Sequence, residues 1–243
     1  MILRQINRLQ LLVLSLLCLA SIGMVQAQDP GPEEIIEAVM VFSHPEIHQQ
    51  LDSPDRTLTI ELIIYPCVEI SGQETSYERM ILIDNRTGEL QQITDQLINC
   101  GGLGGFGLWA LRWSEDSKYL YYTDAREGSP DGFVGLWNPP LWRVRIADLQ
   151  IENLGQAQFS PDSAWIAAWT QDEINLVSVN SDRSMSFELL PSELQMFELS
   201  WLPDNSGLIY IQADTLYGAA SRTTVTYLDL ETGMQTVLLD RES

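Results

Sequence analysis

Phe159-Ser160-Pro161-Asp162-Ser163-Ala164-Trp165-Ile166-Ala167-Ala168-Trp169 is the stretch that decides the fold. Pro161 arrives with its φ near the value that the second position of a type I turn needs. Asp162 and Ser163 carry side-chain oxygens that accept from nearby backbone N–H groups. An aromatic residue precedes the turn and an apolar run rich in Trp and Ile follows it, which suits two buried antiparallel strands. The stretch reads as a β-hairpin.

The same pattern recurs. Trp113-Ser114-Glu115-Asp116-Ser117 precedes Tyr119-Leu120-Tyr121-Tyr122, and Trp201-Leu202-Pro203-Asp204-Asn205 precedes Leu208-Ile209-Tyr210-Ile211. A weaker copy, Ser53-Pro54-Asp55, precedes Leu58-Thr59-Ile60-Glu61-Leu62 and has Asp52 in place of the aromatic residue. Asp55, Asp116, Asp162 and Asp204 are 61, 46 and 42 residues apart. A period in the forties matches one four-stranded propeller blade. A second turn alternates with the first: Asp84-Asn85-Arg86-Thr87-Gly88 after Met80-Ile81-Leu82-Ile83, and Asp229-Leu230-Glu231-Thr232-Gly233 after Thr226-Tyr227-Leu228. Glycine at the end of such a turn takes φ > 0 without steric cost and closes another hairpin.

These two alternating signatures resemble the TolB-like, WD-related β-propeller repeat. The resemblance is strong from about Trp109 to Leu239 and weak before it. It departs from the pattern in the third repeat, where Asn180-Ser181-Asp182-Arg183 replaces Asp-x-x-Thr-Gly, and in having few repeats. It implies a fold and no single activity, because such propellers serve many roles. The expectation is an all-β chain: a propeller of about four four-stranded blades, closed or open, after a signal peptide. The blades are expected at about 38–94, 108–154, 156–190 and 197–239, with Ala38-Val39-Met40-Val41-Phe42 as the first strand. The repeated aromatics Trp113, Phe159 and Trp201 are expected between neighbouring blades.

The rest of the chain bounds compartment and chemistry. Residues 1–27 carry Arg4 and Arg8, an apolar run from Leu11 to Leu19, and Val25-Gln26-Ala27 as a small-residue cleavage signal. This reads as a secretory signal peptide; the rival reading is an uncleaved membrane anchor, for which the run is short of the ~20 apolar residues of a membrane span. A proline- and acid-rich linker follows at 28–37. The chain is then secreted or periplasmic, and Cys18 leaves with the signal. Cys67 and Cys100 remain, an even pair that in an oxidising compartment reads as a disulfide closing a loop of about 33 residues. The competing reading is two small buried hydrophobes.

The formal net charge is −21, and losing Arg4 and Arg8 brings it to −23. Such a surface repels nucleic acid and anionic membranes, and excludes both as main partners. It favours cationic partners or simply keeps a secreted protein soluble. His44 and His48, the only histidines, flank Glu46 with the i, i+4 spacing of half a zinc site, but no third ligand is nearby, so no metal is assigned. The run Gly101-Gly102-Leu103-Gly104-Gly105-Phe106-Gly107 lacks the Lys and Ser/Thr of a phosphate loop and leads into a strand at Leu108-Trp109-Ala110-Leu111. It reads as an inter-blade connection.

An insertion from Asp124 to Pro140 in the second blade carries Asp124, Glu127, Asp131, Phe133 and Trp137, with Trp142 just beyond. Long loops in compact domains are often functional, and proline-stiffened aromatics make economical protein or carbohydrate contacts. The alternative is that the two tryptophans tuck back as core. The three carboxylates do not match a Ca²⁺ loop. No Gly-x-Ser-x-Gly elbow, cysteine–histidine couple or phosphate loop is present, and the sialidase-type aspartate box is out of register. No catalytic residue and no cofactor is assigned. The reading is an extracytoplasmic, non-enzymatic protein-binding scaffold. The alternative is a carbohydrate-binding or glycoside-hydrolase propeller, which would show two carboxylates facing each other in an aromatic-walled funnel. A structural remnant without a role is the third class.

Overall fold

A computed structural model describes residues 31–100, 107–124, 139–214 and 220–242. The chain divides into two compact units, residues 1–35 and 36–243; helix α1 begins in the first, and every strand belongs to the second. The proposed signal peptide lies outside the described residues.

Among the described residues fifteen strands make four successive antiparallel meanders. Blade 1 holds β1 (Glu46–Asp52), β2 (Leu58–Ile70), β3 (Gln73–Asp84) and β4 (Leu90–Asn99) in that spatial order. Blade 2 follows with β5 (Leu108–Trp113), β6 (Tyr119–Asp124), β7 (Leu141–Arg145) and the first half of β8 (Gln150–Phe159). Blade 3 takes the second half of β8, then β9 (Trp165–Trp169), β10 (Glu173–Ser178) and β11 (Ser184–Glu188). Blade 4 is β12 (Gln195–Trp201), β13 (Gly207–Ala213), β14 (Arg222–Asp229) and β15 (Gln235–Glu242). A four-stranded meander repeated along the chain is the unit of a β-propeller, so the all-β propeller class read from the turns holds. Among the described residues no strand of blade 4 pairs with blade 1, so the array is not closed by a shared sheet.

One boundary is not a boundary at all. Strand β8 pairs with β7 over Gln150 to Gly155 and with β9 from Gln156 to Phe159, merging blades 2 and 3 into a seven-stranded sheet. Gly155, at φ +71°, sits where the strand changes partner.

The sequence expectation fails at the start of blade 1. Residues 38–42 are the end of helix α1 (Pro32–Phe42), not a strand, and the blade runs from Glu46 to Asn99 rather than 38–94. Pro32 is tolerated in a first helical turn, and Glu33 and Glu34 complement the dipole there. Ser43 N–H and Oγ both donate to Val39 O, and Pro45 ends the possibility of helix. Short apolar runs such as 38–42 do not distinguish helix from strand by periodicity. The same shift puts His48 inside β1, where a loop was expected.

The repeated turn behaves as its residues require. In all four blades the N–H of the residue after the key aspartate donates back three positions: Arg56 to Ser53, Ser117 to Ser114, Ser163 to Ser160 and Asn205 to Leu202, at 2.8–3.0 Å. Those four donors all have φ near +60°. Each aspartate Oδ1 accepts the N–H two residues on, from Thr57, Lys118, Ala164 and Ser206. In three blades a serine Oγ also donates to it: Ser53, Ser114 and Ser160, at 2.6–2.8 Å. Blade 4 has Leu202 there, and Ser206 Oγ supplies the bond instead. These donors hold the aspartates below the usual carboxylate range. For Asp55, Ser53 and then Thr57 bring it to about 2; Asp162 and Asp204 shift the same way through Ser160 and Ser206. At Asp116 burial opposes the shift, and Lys118 and Ser114 outweigh it.

The second turn is stitched to the first. Asn85, Ile146, Val179 and Leu230 donate their N–H to the carbonyls of Thr57, Lys118, Ala164 and Ser206, so both turns of every blade form one edge. Gly88 and Gly233 close their turns at φ +73° and +70°.

The core lies between blades. Trp113, 5% exposed, packs with Ile60, Leu62, Met80 and Leu120, and its indole N–H donates to Leu51 O at 3.1 Å. Trp201 repeats this at the blade 3–blade 4 interface, donating to Gln158 O at 3.2 Å. Phe159 meets Tyr121 edge to face at 5.5 Å, and the Arg112 guanidinium lies 5.1 Å from the Phe159 ring centre. The departing loop of blade 3 is also used: Asn180 Oδ1 accepts Glu115 N–H, and Asp182 accepts the Tyr119 hydroxyl. Burial pushes the Tyr121 hydroxyl up to about 12, so it stays a neutral donor to Val179 O.

Candidate functional site

Among the described residues the β2–β3 hairpin is the longest, with strands of 13 and 12 residues against five to ten elsewhere. Ser71 and Gly72, at φ +53° and +81°, turn it in two residues, the primed geometry whose twist matches the flanking strands. Strand β1 stops pairing at Glu46↔Ile64, so the hairpin continues beyond it. Cys67 and Cys100 form the expected disulfide, fastening the hairpin to the exit of β4. Their Cα atoms are 6.3 Å apart. Two strands with a third between them are roughly 9.5 Å apart. The register irregularity between Tyr65 and Val68 lets β2 lean in.

This hairpin walls a cavity of about 520 Å³. Register defines its floor. Glu46, Ile64, Glu78 and Gln96 are direct cross-strand partners in sequence, hence on one face of blade 1, and the first three of them line the cavity. Leu62 and Met80 form the adjacent row of that face and belong to the core against blade 2. The cavity therefore extends the blade 1–blade 2 seam. Ser76, Ile98, Pro66 and both cysteines complete the described lining, with Ile47 and His48 at its edge. His48 stands edge to face on Trp109, centroids 5.5 Å apart, and Trp109 is half-exposed.

Glu78 is the chemical centre. It is 6% exposed, and its Oε2 accepts Leu108 N–H at 2.9 Å and Gln96 Nε2–H at 2.8 Å. A Cβ on Gly107 would stand 1.8 Å from that oxygen. The last glycine of the 101–107 run is thus needed for the backbone to close over a buried carboxylate. Gln96, 3% exposed, keeps its Oε1 without a partner. Beside the cavity, Gln49 clamps Ala110, donating to its carbonyl at 2.5 Å and accepting its N–H at 3.0 Å.

Of the residues singled out by sequence, Glu127, Asp131, Phe133 and Trp137 lie outside the described residues. Trp142 is on β7, stacked on Tyr122 at 6.2 Å and packed against the blade 1–blade 2 core. Asp124 ends β6 opposite Leu108 and is 4% exposed. Glu78, Gln96, Gln49 and Gly107 escaped sequence reading. No signal in the sequence marked Glu78: Gln73, Glu74, Thr75, Ser76 and Arg79 surround it, a polar stretch that reads as solvent-facing. Among the described residues no group of three or more His, Cys, Asp or Glu is placed to hold a metal ion.

Two further cavities are smaller: about 440 Å³ at the exit of blade 3, around Asp172, Glu173, Glu188 and Gln212, and about 200 Å³ around Tyr119, Arg143 and Arg145. In the latter, Arg143 pairs with Glu152 at 2.5 Å and Arg145 with Asp148 at 2.9 Å.

No protein-family model matches the chain, and no curated protein matches it. Solved structures similar to it include hydrazine synthase of Kuenenia stuttgartiensis, at 15% identity and TM-score 0.35, covering 81% of this chain and 49% of that one. A protein assigned as TolB in Agrobacterium tumefaciens is 14% identical at TM-score 0.34, with 82% of each chain covered. The β-propeller domain of the Trilobed protease of Pyrococcus furiosus is 8% identical at TM-score 0.35, covering 81% of this chain and 58% of that one. The chain thus spans about half the length of the hydrazine synthase chain it matches. At these values no activity, substrate or partner passes from any of them to this chain.

Proposed function

We propose that the chain is an extracytoplasmic, TolB-like propeller scaffold that works by binding another protein rather than by turning over a substrate. The observation that carries this reading is the disulfide-fastened β2–β3 hairpin, which projects past β1 and walls the 520 Å³ cavity. A projecting hairpin held by a covalent staple is pre-ordered, and pre-ordering lowers the entropic cost of association. The disulfide also supports an oxidising compartment, in keeping with the signal-like residues 1–27. Phe133 and Trp137 of the second-blade insertion are proposed as contact residues on the sequence alone. The test is affinity capture from the extracytoplasmic extract of the source cell, with the chain purified from that compartment as bait. A single polypeptide retained in near-stoichiometric amount is expected; capture of nothing above a heat-unfolded control refutes the reading.

A carbohydrate reading has one observation in its favour, Glu46 and Glu78 in a shared cavity with Trp109 near its edge. With Ile64 between them, their Cα atoms are roughly 9.5 Å apart by strand spacing. That approaches the wide separation of inverting glycosidases. Glu78, however, already holds Leu108 N–H and Gln96 through Oε2, which spends the group structurally. Release of reducing sugar from a glycan panel, abolished by Glu46→Gln, would reverse the preference.

A further inference from the structure

The face that floors the cavity continues outward along the hairpin. On β3, Glu74, Ser76 and Glu78 alternate on one side of the sheet, and Glu69 is the direct cross-strand partner of Glu74. Two exposed carboxylates facing each other across a hairpin repel, an arrangement that normally weakens it. Among the described residues neither Glu69 nor Glu74 takes part in an ion pair. Further in, both hydrogen bonds to Glu78 fall on Oε2, and Gln96 beside it leaves Oε1, an acceptor, without a donor. The face thus offers acceptors at two levels, the outer pair at the tip and Glu78 on the cavity floor with Gln96 bonded behind it, and Ile64, Pro66 and Ile98 supply the apolar surface of the cavity. Glu74 and Glu78 are four strand residues apart, about 14 Å.

The geometry points to a basic peptide segment as the occupant: an extended stretch of the partner with cationic side chains four residues apart, the same 14 Å. One cation relieves the Glu69–Glu74 repulsion; the other reaches Glu78, its methylene stem lying against Ile64 and Ile98. The net charge of −21 attracts such a segment from a distance. This assignment rests on the scaffold reading for taking a polypeptide as the partner.

The test uses the chain purified from the extracytoplasmic fraction of cells expressing all 243 residues, and fluorescence anisotropy of three labelled Val/Thr/Ser decapeptides. One carries Lys at positions i and i+4, one carries two adjacent Lys, and one carries Glu at i and i+4. Binding of the first at least tenfold tighter than the second, with no binding of the third, is expected. The double variant Glu69→Lys, Glu74→Lys alters only exposed positions; with an unchanged melting temperature it is expected to weaken the first peptide at least thirtyfold. Equal binding of the first two peptides, equal binding by wild type and variant, or no binding of the first at 1 mM each overturns the proposal. Repeating the affinity capture with the variant separates the two readings. A partner held equally by variant and wild type keeps the scaffold and removes this site; peptide binding without any captured protein keeps the site and removes the protein scaffold.

Discussion

Replacing Trp113 by Ala tests the inter-blade seam most directly. The side chain is 5% exposed, sits among Ile60, Leu62, Met80 and Leu120, and donates its indole N–H to Leu51 of the preceding blade at 3.1 Å. Truncating a fully buried tryptophan costs about 3–5 kcal/mol through lost burial and the cavity left behind. For a domain of this size each kcal/mol lowers the melting temperature by about 2–4 °C, so a fall of about 6–20 °C is expected. Trp113→Phe keeps most of the apolar area but loses the indole bond to Leu51, at about 0.5–1.5 kcal/mol. Trp201→Ala removes the equivalent bond to Gln158, yet Trp201 is only half-buried, so the loss sits at or below the lower end of the same range, about 2–3 kcal/mol. Thermal and urea unfolding followed by far-UV circular dichroism gives all three values. A Trp113→Ala melt within 2 °C of wild type, or an order with Trp201→Ala the most damaging, refutes the argument that these residues bind blade to blade.

Four other outcomes follow from the same geometry. Gly107→Ala forces a Cβ into the Glu78 carboxylate and breaks its bond to Leu108 N–H, so a loss of about 1–3 kcal/mol is expected in urea unfolding; an unchanged midpoint refutes the close approach. Intact mass before and after reduction should differ by two hydrogens, and Cys67→Ser with Cys100→Ser should cost about 3–4 kcal/mol for a 33-residue loop; two alkylatable thiols without reduction refute the bridge. Asp55, Asp116, Asp162 and Asp204 all have lowered folded pKa values. Their contribution is complete above the unfolded value near 4 and lost as pH falls toward 2, so in high salt, where the net charge is screened, stability should decline across that window. A flat or rising profile there argues against the turn network. Gln49→Ala leaves both backbone groups of Ala110 without their clamp and should lower stability by about 1–3 kcal/mol, while Gln50→Ala, whose amide meets only Glu61 at an exposed site, should change it little.

The turns were legible because their chemistry is local. Ser160, Pro161, Asp162 and Ser163 meet within a few residues, so the hairpin, its repeats and the four-blade count follow from composition at fixed offsets, as do the strands of blades 3 and 4. The Cys67–Cys100 pair was legible by elimination once Cys18 was assigned to the signal. Residues 38–42 were misread because a short apolar run carries no period, and the helix depends on Pro32, Glu33 and Glu34 upstream and on Ser43 after it. The cavity was not legible at all. Glu46, Glu78 and Gln96 are up to 50 positions apart and meet through strand register, which is set by pairing between distant segments. The glycine at 107 reads as linker until Glu78 is placed beneath it. By itself the sequence determined the repeated turns, the strand order they imply and the redox chemistry of its cysteines, since each rests on neighbours along the chain. Only the tertiary structure decided that β8 serves two blades, that the first hairpin outruns β1, and that its carboxylates share one face, because side-chain convergence across strands is a property of register and packing.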